Sequence, residues 1–313
     1  MPRVSVIVPA HEAAGFIADT LRSVVGQTVG DWEVVVVDDA SADGTAEAAQ
    51  GIDPRVRVLR SEVNLGPAGA RNRALEEAGG ELVALLDADD AWEPGYLEAQ
   101  LALYERLRST GRRVGAVTCD AWLVDEQGTV RGRYYDRLNP PGPPARVTLE
   151  GLLEWNLVYV GCLVPRAVID EVGPFDTATW GSEDHDLWLR IAEAGYEIAV
   201  NPEPLARYRI AAGSVSSSVV ALARTNQVTY RLALARGRLT PAQERIARRA
   251  LDYSRAMERV GEVATAPPGR RLAAIAAALR HAPLLVRVVV THRHRWAGWW
   301  RVLRARGRDP RLA

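Results

Sequence analysis

Short apolar runs alternate with helical patterns through residues 1–90, and this alternation limits the fold more than any other feature of the sequence. The apolar runs are residues 4–8, 33–37, 56–59 and 82–86. Between the first two runs, apolar residues recur at the spacing of one helical face, and residues 68–78 have a helical pattern too. Strands that alternate with helices favour parallel pairing, with the helices packed on the sheet. The sequence therefore predicts an α/β fold on a largely parallel sheet.

Composition excludes several classes of protein. Hydrophobic residues make up 48% of the 313 residues and charged residues 25%, which is enough for a buried core and excludes a disordered chain. All 39 basic residues are arginine, so no lysine is present for a phosphate-binding loop, a Schiff base or nucleophilic catalysis. No Gly-x-Gly-x-x-Gly follows the first strand, which argues against a dehydrogenase. Cys119 and Cys162 are too few for a disulfide framework and no secretory signal begins at Met1, so we expect a cytoplasmic protein.

Charge divides the chain into two parts. Residues 1–223 hold 19 arginines and 34 acidic residues, whereas residues 224–313 hold 20 arginines and 5 acidic residues. After Tyr208 the pattern becomes almost wholly helical, with a break at residues 265–269. We predict that residues 1–106 and 107–220 form the two halves of one α/β domain and that residues 221–313 form a basic helical extension.

Carboxylates follow the ends of two predicted strands. Asp38 and Asp39 follow the second strand, and Asp87, Asp89 and Asp90 follow the fourth. The carboxyl ends of parallel strands meet at one ligand-binding edge, so we expect these five side chains to face one crevice. They would repel each other unless a cation or hydrogen-bond donors balance them, and carboxylate oxygens suit Mg²⁺ or Mn²⁺. Turn and helix-cap chemistry is the alternative for Asp38 and Asp39.

Two further segments contain candidate site residues. Arg71 follows a glycine-containing loop and carries a planar fork that binds phosphate, although a solvated arginine at a helix entry has the same pattern. Glu183, Asp184 and His185 open a predicted helix behind Ser182. A carboxylate in that first turn is held rigidly and can take a proton from an attacking hydroxyl, but the helix dipole alone also favours acidic residues there.

Six short motifs stand in a fixed order along residues 4–187. They cover residues 4–9, 21–28, 37–45, 70–72, 80–90 and 183–187, and the last reads Glu183-Asp184-His185-Asp186-Leu187. Together they resemble the family 2 glycosyltransferases with the GT-A fold. The resemblance implies a Rossmann-like, mixed and mainly parallel sheet flanked by helices, here followed by the C-terminal helical extension.

The resemblance also implies an activity and a set of site residues. The activity is an inverting transfer of a sugar from a UDP, GDP or dTDP donor to an acceptor hydroxyl. Residues 1–106 would be the donor-binding half, residues 107–220 would hold the acceptor and the base, and a Mn²⁺ or Mg²⁺ ion would assist. The implied nucleotide-sugar contacts are Pro9, Ala10, His11, Glu12, Asp38, Asp39, Arg71, Asp87 and Ala88. The implied metal ligands are Asp87 and Asp89, and the implied catalytic residues are Asp184, as general base, and Glu183.

Two segments depart from the family's pattern. His11 and Glu12 stand where many members have Tyr-Asn, which changes the expected stacking contact to the base and with it the nucleotide preference. Ala211 stands where many members have a histidine that contacts the diphosphate or the metal. We therefore expect weaker metal binding unless Arg209 and Ser214 substitute for that histidine.

Aromatic residues and arginines mark the two remaining regions. Residues 119–180 are rich in aromatic residues, which are expected to shape the acceptor pocket or to fill the core. Trp180 and His185 adjoin the candidate base and are the expected acceptor contacts. Residues 272–279 and 296–303 have amphipathic helical patterns, and arginines flank the tryptophans of the second one. That composition is typical of a helix on a membrane surface, with packing on the acidic domain or on a second subunit as the alternative.

These observations give one expected function and two alternatives. We expect a cytoplasmic glycosyltransferase, peripheral at the inner face of the membrane, that acts on a lipid-linked or polymeric glycan in cell-envelope or polysaccharide synthesis. One alternative is transfer to a small soluble acceptor, and the other is a catalytically silent protein that binds nucleotide sugars. The sequence predicts no transmembrane segment and shows no nucleic-acid-binding motif, and it leaves the oligomeric state open.

Overall fold

The computed structural model describes residues 2–137, 142–144, 146–210 and 218–267. Contacts within the chain define two compact units, Met1–Ser217 and Ser218–Ala313. The predicted division of the first unit near residue 106 stays a prediction.

A nine-stranded mixed sheet forms the first unit. Its strands are β1 (Val4–Ala10), β2 (Trp32–Asp38), β3 (Val56–Arg60), β4 (Leu82–Leu85), β5 (Ala91–Trp92), β6 (Val114–Val124), β7 (Val130–Arg133), β8 (Leu163–Pro165) and β9 (Glu197–Arg209). The strand order is β3-β2-β1-β4-β8-β6-β9-β5, and β7 pairs with β6 outside this path. The β1, β2, β3 and β4 strands pair in parallel, as do β6 and β9, whereas β8 runs antiparallel to both β4 and β6. The predicted α/β fold class is confirmed.

Seven α-helices accompany the sheet in the described part of this unit. They are α1 (Ile17–Val25), α2 (Thr45–Ala49), α3 (Gly66–Glu77), α4 (Tyr96–Ser109), α5 (Leu149–Glu154), α6 (Arg166–Val172) and α7 (Glu183–Glu193). The apolar residues of β1, β2 and β4 are buried, which explains why these strands read as continuous apolar runs. Ile17, Leu21 and Val24 of α1 are buried as the helical spacing predicts.

The carboxyl ends of the strands lie where the sequence predicts a crevice. Ala10 pairs with Asp38 at the ends of β1 and β2, and the backbone N–H of Asp39 donates to the carbonyl of Ala10 at 2.7 Å. Because β4 pairs with β1 in parallel, the loop that begins after Leu85 opens at the same edge. The polar residues that follow β1, β2 and β4 are thereby brought together at the edge of the sheet formed by the carboxyl ends of these strands.

The second unit contains two packed helices in its described part. These are α8 (Val219–Ala235) and α9 (Pro241–Thr265), and they confirm the predicted helical character of this region. Thr240 and Gln243 form a capping box at the start of α9. Tyr230 packs against Ala250 and Leu251 between the helices. The two amphipathic patterns beyond residue 267 lie outside the described residues. None of the described helices is long and apolar enough to span a membrane.

Candidate active site

The loops after β1 and β2 hold each other through hydrogen bonds. The Asp39 carboxylate accepts the backbone N–H of Leu65 at 2.7 Å, and the buried Asp38 carboxylate contacts Arg60 at 3.2 Å. Asp38 also accepts the backbone N–H of Ser41 at 3.2 Å, which is the turn contact that the alternative interpretation predicts. Both aspartates therefore order this loop, whatever they bind in addition.

His11 and Glu12 connect the same loops. The Nδ1–H of His11 donates to the carbonyl of Asp39 at 2.8 Å, and its Nε2 accepts from the side-chain amide of Asn64 at 3.2 Å. These two partners fix the ring with the proton on Nδ1. Glu12 has a positive φ of 51°, and its carboxylate accepts the backbone N–H of Ala42 at 2.7 Å. The two residues that depart from the family's pattern thus stabilise the predicted nucleoside loop.

A buried arginine joins the loop after β4 to the first turn of α7. Arg71 is 3% exposed, so it is not the solvated arginine of the alternative interpretation. One Nη of its fork donates to Asp87 at 2.5 Å and the other donates to Glu183. Burial opposes the charged form, but Asp87, Glu183 and Asp184 together raise the pKa of Arg71 above its ordinary value. The fork binds two carboxylates here, and it brings the predicted donor loop and the predicted base to the same site.

Asp184 has the environment of a general base. Its two oxygens accept the side-chain amide of Asn156 at 3.0 Å and the backbone N–H of His185 at 2.7 Å. Burial and the neighbouring charge of Glu183 raise the pKa of Asp184 to about 6, with Arg71 and the two hydrogen bonds opposing the shift. A carboxylate with a pKa near 6 is ionised at neutral pH and still accepts a proton readily.

The aspartates after β4 differ in their surroundings. Burial and the charge of Asp87 raise the pKa of Asp89 to about 6, with Arg209 opposing the shift. Asp90 is buried and accepts the hydroxyl of Tyr159 at 2.8 Å and the backbone N–H of Arg209 at 2.9 Å. Burial also raises the pKa of Asp90 well above its ordinary value. Asp90 and Asp38 are therefore buried by internal contacts, which corrects the expectation that all five carboxylates face the crevice.

Asp87 and Asp89 supply only some of the ligands that a divalent cation needs. No group of three or more His, Cys, Asp or Glu side chains in the described ranges is arranged to hold a metal ion. Mg²⁺-type ions are commonly bound by one or two carboxylates, with substrate phosphates and water as the other ligands. Burial and the negative charge of Asp87 both disfavour the ionised form of Asp89, so the two carboxylates leave negative charge that a cation would balance. The donor set thus fits an ion that arrives with a diphosphate.

The predicted acceptor contacts differ in accessibility. Trp180 is exposed and its ring lies against Gly66, where an added Cβ would come within 2.6 Å of the indole. His185 is 1% exposed, and its Nε2–H donates to the carbonyl of Leu152 at 2.8 Å. His185 therefore holds α5 against α7 and offers no surface to an acceptor in this structure, which corrects the sequence-based expectation. Of the predicted nucleotide-sugar contacts, Pro9 and Ala10 end β1 and Ala88 lies in the loop after β4.

Sequence reasoning missed two residues that set the environment of the site. Asn156 donates to Asp184 from a position 28 residues earlier, and Tyr159 donates to Asp90 from a position 69 residues later. Neither residue belongs to one of the six motifs. The sequence marks both residues only by their position in the aromatic-rich segment before α7. That position predicts an acceptor region and not a contact with Asp184 or Asp90.

Comparisons with known proteins agree with this geometry. The profile described as "Glycosyl transferase family 2" matches residues 5–169. The putative teichuronic acid biosynthesis glycosyltransferase TuaG of Bacillus subtilis (strain 168) is 32% identical over 74% of this chain and 88% of its own length. An Escherichia coli relative, named UDP-Glc:alpha-D-GlcNAc-diphosphoundecaprenol beta-1,3-glucosyltransferase WfgD, is 31% identical over 69% of this chain and 80% of its own.

A solved structure shares the fold. The mannosyltransferase PcManGT from Pyrobaculum calidifontis, in complex with GDP-Man and Mn²⁺, superposes with a TM-score of 0.58. It is 23% identical, and the match covers 92% of this chain and 83% of that one. The mixed, mainly parallel sheet with flanking helices is therefore the GT-A arrangement that the sequence predicts.

Proposed function

The chain belongs to glycosyl transferase family 2, and on this premise we propose that it moves a sugar from a nucleoside diphosphate donor to an acceptor hydroxyl with inversion at the anomeric carbon. One observation carries the proposal. Arg71 holds Asp87, on the predicted donor side, and Glu183, beside the predicted base, with the two ends of one guanidinium. Donor loop and base are thus positioned relative to each other before substrates bind, as a single displacement requires.

Asp184 acts as the general base. The acceptor hydroxyl gives its proton to the Asp184 carboxylate while its oxygen forms the new bond to the anomeric carbon. The bond from that carbon to the diphosphate breaks on the opposite face, and the nucleoside diphosphate leaves with the electron pair. Asn156 and the backbone N–H of His185 orient the carboxylate for this transfer.

The loops after β1, β2 and β4 bind the donor. Asp39, with Pro9, Ala10, His11 and Glu12, is proposed to line the nucleoside side, where the buried Asp38 orders the same loop from behind. Arg71, Asp87 and Ala88 are proposed to line the diphosphate side. Asp87 and Asp89 would hold a divalent cation, which would supply positive charge against the leaving diphosphate. The names of the relatives and of the solved structure, which include UDP-Glc, GDP-Man and Mn²⁺, support this donor class.

The names of the relatives support a role in glycan synthesis. The relatives reported above are named for teichuronic acid biosynthesis and for a GlcNAc-diphosphoundecaprenol substrate, so we propose a role in cell-envelope or polysaccharide synthesis. Transfer to a small soluble acceptor would contradict a role in glycan synthesis. Adding such acceptors to the transfer assay tests this alternative directly.

Donor binding and the general base are tested on the full chain. Thermal unfolding is followed with UDP-, GDP- and dTDP-sugars, with and without Mn²⁺, because a ligand that binds only the folded state raises the melting temperature. Asp184→Asn is expected to keep the donor-dependent shift and to lose transfer by about 10²–10⁴-fold. Asp170→Asn, an exposed aspartate paired with Arg166, is the matched control and is expected to leave both unchanged. Unchanged turnover in Asp184→Asn would refute the base assignment.

The basic extension is proposed to bind an anionic membrane surface. Residues 224–313 hold 20 arginines and 5 acidic residues, and each basic residue near such a surface contributes about 1 kcal/mol. A chain that ends at Ala266 is compared with the full chain for partitioning to phosphatidylglycerol and phosphatidylcholine vesicles. Equal partitioning of both chains to the anionic vesicles would refute this assignment.

A further inference from the structure

The loop that follows β4 is fixed from several sides. Arg71 donates to the carboxylate of Asp87 at 2.5 Å. The hydroxyl of Thr20, on α1, lies 2.8 Å from the carbonyl oxygen of Ala88 and 2.7 Å from that of Asp90. The ends of the loop are thus tied to α1 and α3. We call this loop, which consists of Asp87, Ala88, Asp89 and Asp90, the aspartate loop.

Arg209, the last residue of β9, ties the aspartate loop to a third part of the fold. Its backbone N–H donates to the Asp90 carboxylate at 2.9 Å, and its Nε–H donates to the carbonyl of Asp89 at 2.9 Å. One Nη of the same side chain donates to the carbonyls of Asp125 at 3.0 Å and Glu126 at 2.9 Å. The last two residues lie in the turn between β6 and β7. Arg209 therefore connects the backbone of the aspartate loop to the β6–β7 turn.

These contacts use the planar shape of the Arg209 side chain. A guanidinium carries several N–H donors in one rigid plane, so it can hold carbonyls from two segments at once. Its central carbon lies 4.8 Å from the centre of the Phe16 ring, a cation–π contact that restricts it further. The sequence assigns Arg209 and Ser214 as substitutes for a histidine at the position of Ala211. Ala211 and Ser214 lie outside the described residues, and the contacts of Arg209 favour a different role.

We propose that Arg209 is a positioning residue for cation binding by the aspartate loop, and that it acts through the backbone of Asp89 rather than by contact with the diphosphate. The inference rests on the proposed function, in which Asp87 and Asp89 bind a divalent cation. A loop whose backbone is fixed in advance loses less conformational entropy when the cation binds. Groups that hold a metal ligand in place typically change metal affinity by about 10–100-fold.

The first test measures Mn²⁺ binding directly. The full chain is titrated with Mn²⁺ in the presence of UDP, GDP or dTDP, and free Mn²⁺ is followed by electron paramagnetic resonance. Arg209→Gln is expected to raise the Kd for Mn²⁺ by about tenfold, because glutamine is shorter and lacks the fork that holds both segments. Arg209→Lys keeps the positive charge but has a single nitrogen, so it is expected to resemble the glutamine variant and not the unmodified chain.

The second test separates cation affinity from catalysis. Initial rates of transfer are measured against Mn²⁺ concentration, with the sugar of the nucleotide that binds. For Arg209→Gln the Mn²⁺ concentration at half-maximal rate is expected to rise by about tenfold, in step with the Kd. At saturating Mn²⁺ the kcat should return to within about twofold of the unmodified value, because a group that acts on cation affinity alone is bypassed by excess cation.

A neighbouring arginine supplies the matched control. Arg207 lies two residues earlier on β9 and pairs with Glu93 at 2.9 Å, away from the aspartate loop. Arg207→Gln is expected to leave the Kd for Mn²⁺ and both rate parameters unchanged. Thermal unfolding without ligand checks the folding of every variant, and Arg209→Lys carries the test if Arg209→Gln does not fold.

The outcomes distinguish this inference from the proposed function. An unchanged Kd for Mn²⁺ in the Arg209 variants, or a lysine variant equal to the unmodified chain, would overturn the positioning role. A kcat that stays low at saturating Mn²⁺ would assign Arg209 to direct contact with the substrate, and nucleotide binding without uptake of Mn²⁺ would remove the cation site; either result overturns the inference and leaves donor binding intact. An unmodified chain that binds none of the three nucleotides would overturn the proposed function, and the positioning role with it.

Discussion

Replacing Asn156 with alanine is expected to move the acid limb of the pH–rate profile to higher pH. The Asn156 amide donates to the Asp184 carboxylate at 3.0 Å and lowers the pKa of that group, which is about 6 in the intact chain. A hydrogen bond to a charged group contributes about 1.5–3 kcal/mol, and one pKa unit corresponds to about 1.36 kcal/mol. Asp184 is partly exposed, so water replaces part of the lost bond, and we expect a rise of about one pKa unit.

The sign of the effect follows from the role of Asp184. The base must be ionised, so activity is lost as the pH falls through the folded-state pKa. With that pKa about one unit higher, the ionised fraction at pH 6 falls about fivefold, whereas at pH 9 it is nearly complete in both chains. The variant should therefore be slow at pH 6 and close to the unmodified rate at pH 9.

The assay is kcat/KM between pH 5 and 9, which reports ionisations of the free enzyme. Asn201→Ala is the matched control, because Asn201 accepts only a backbone N–H, from Glu203, in the contacts described for its side chain. Its acid limb should coincide with that of the unmodified chain. Coincident limbs for Asn156→Ala as well would refute either the base or its contact with Asn156.

Three further predictions concern the same structure. Glu183→Gln should move the acid limb below pH 6, because the charge of Glu183 raises the pKa of Asp184, and a limb shifted upward would contradict this cause. Gly66→Ala should lower the melting temperature by several degrees, since φ is +74° and the new Cβ would meet the Trp180 ring; adding Trp180→Ala should restore only the part due to that contact. Thiol labelling of the folded chain should be undetectable until denaturant is added, because burial raises the pKa of both buried cysteines, Cys119 and Cys162.

The sequence predicts most of the sheet where strands are short and apolar. The runs at residues 4–8, 33–37 and 82–86 became β1, β2 and β4 because burial on both faces leaves a continuous apolar pattern. Residues 56–59 became β3, which stands at the end of the strand order and is only partly buried. The long strand β9 was missed, since residues 201–204 read Asn-Pro-Glu-Pro and break that pattern. Its pairing with β6 has register shifts at this point, so the interruption is absorbed by a bulge that only the sheet reveals.

The sequence predicts those residues of the candidate site that belong to short local motifs. Asp87 and Asp184 each follow or open a regular element, and such positions can be read from one segment of chain. The partners that tune them come from distant segments, as Asn156 does for Asp184, and no local pattern signals such a contact. The fork of Arg71 was expected to reach phosphate, but its two carboxylate partners, Asp87 and Glu183, are 16 and 112 residues away in the sequence.

The contacts of Arg71 explain which carboxylates of the candidate site are not paired with an arginine in the described ranges. The guanidinium pairs with Asp87 and with Glu183, so its charge is already shared between the two sides of the site. Asp89 and Asp184 lack an ion pair with an arginine in the described ranges, and burial raises the pKa of each to about 6. Under the proposed function, Asp89 would lie on the donor side and Asp184 on the acceptor side. Asp89 would then help to hold a cation that accompanies the diphosphate, and Asp184 would take the proton of the acceptor, which is the pairing of charges that the proposed displacement needs.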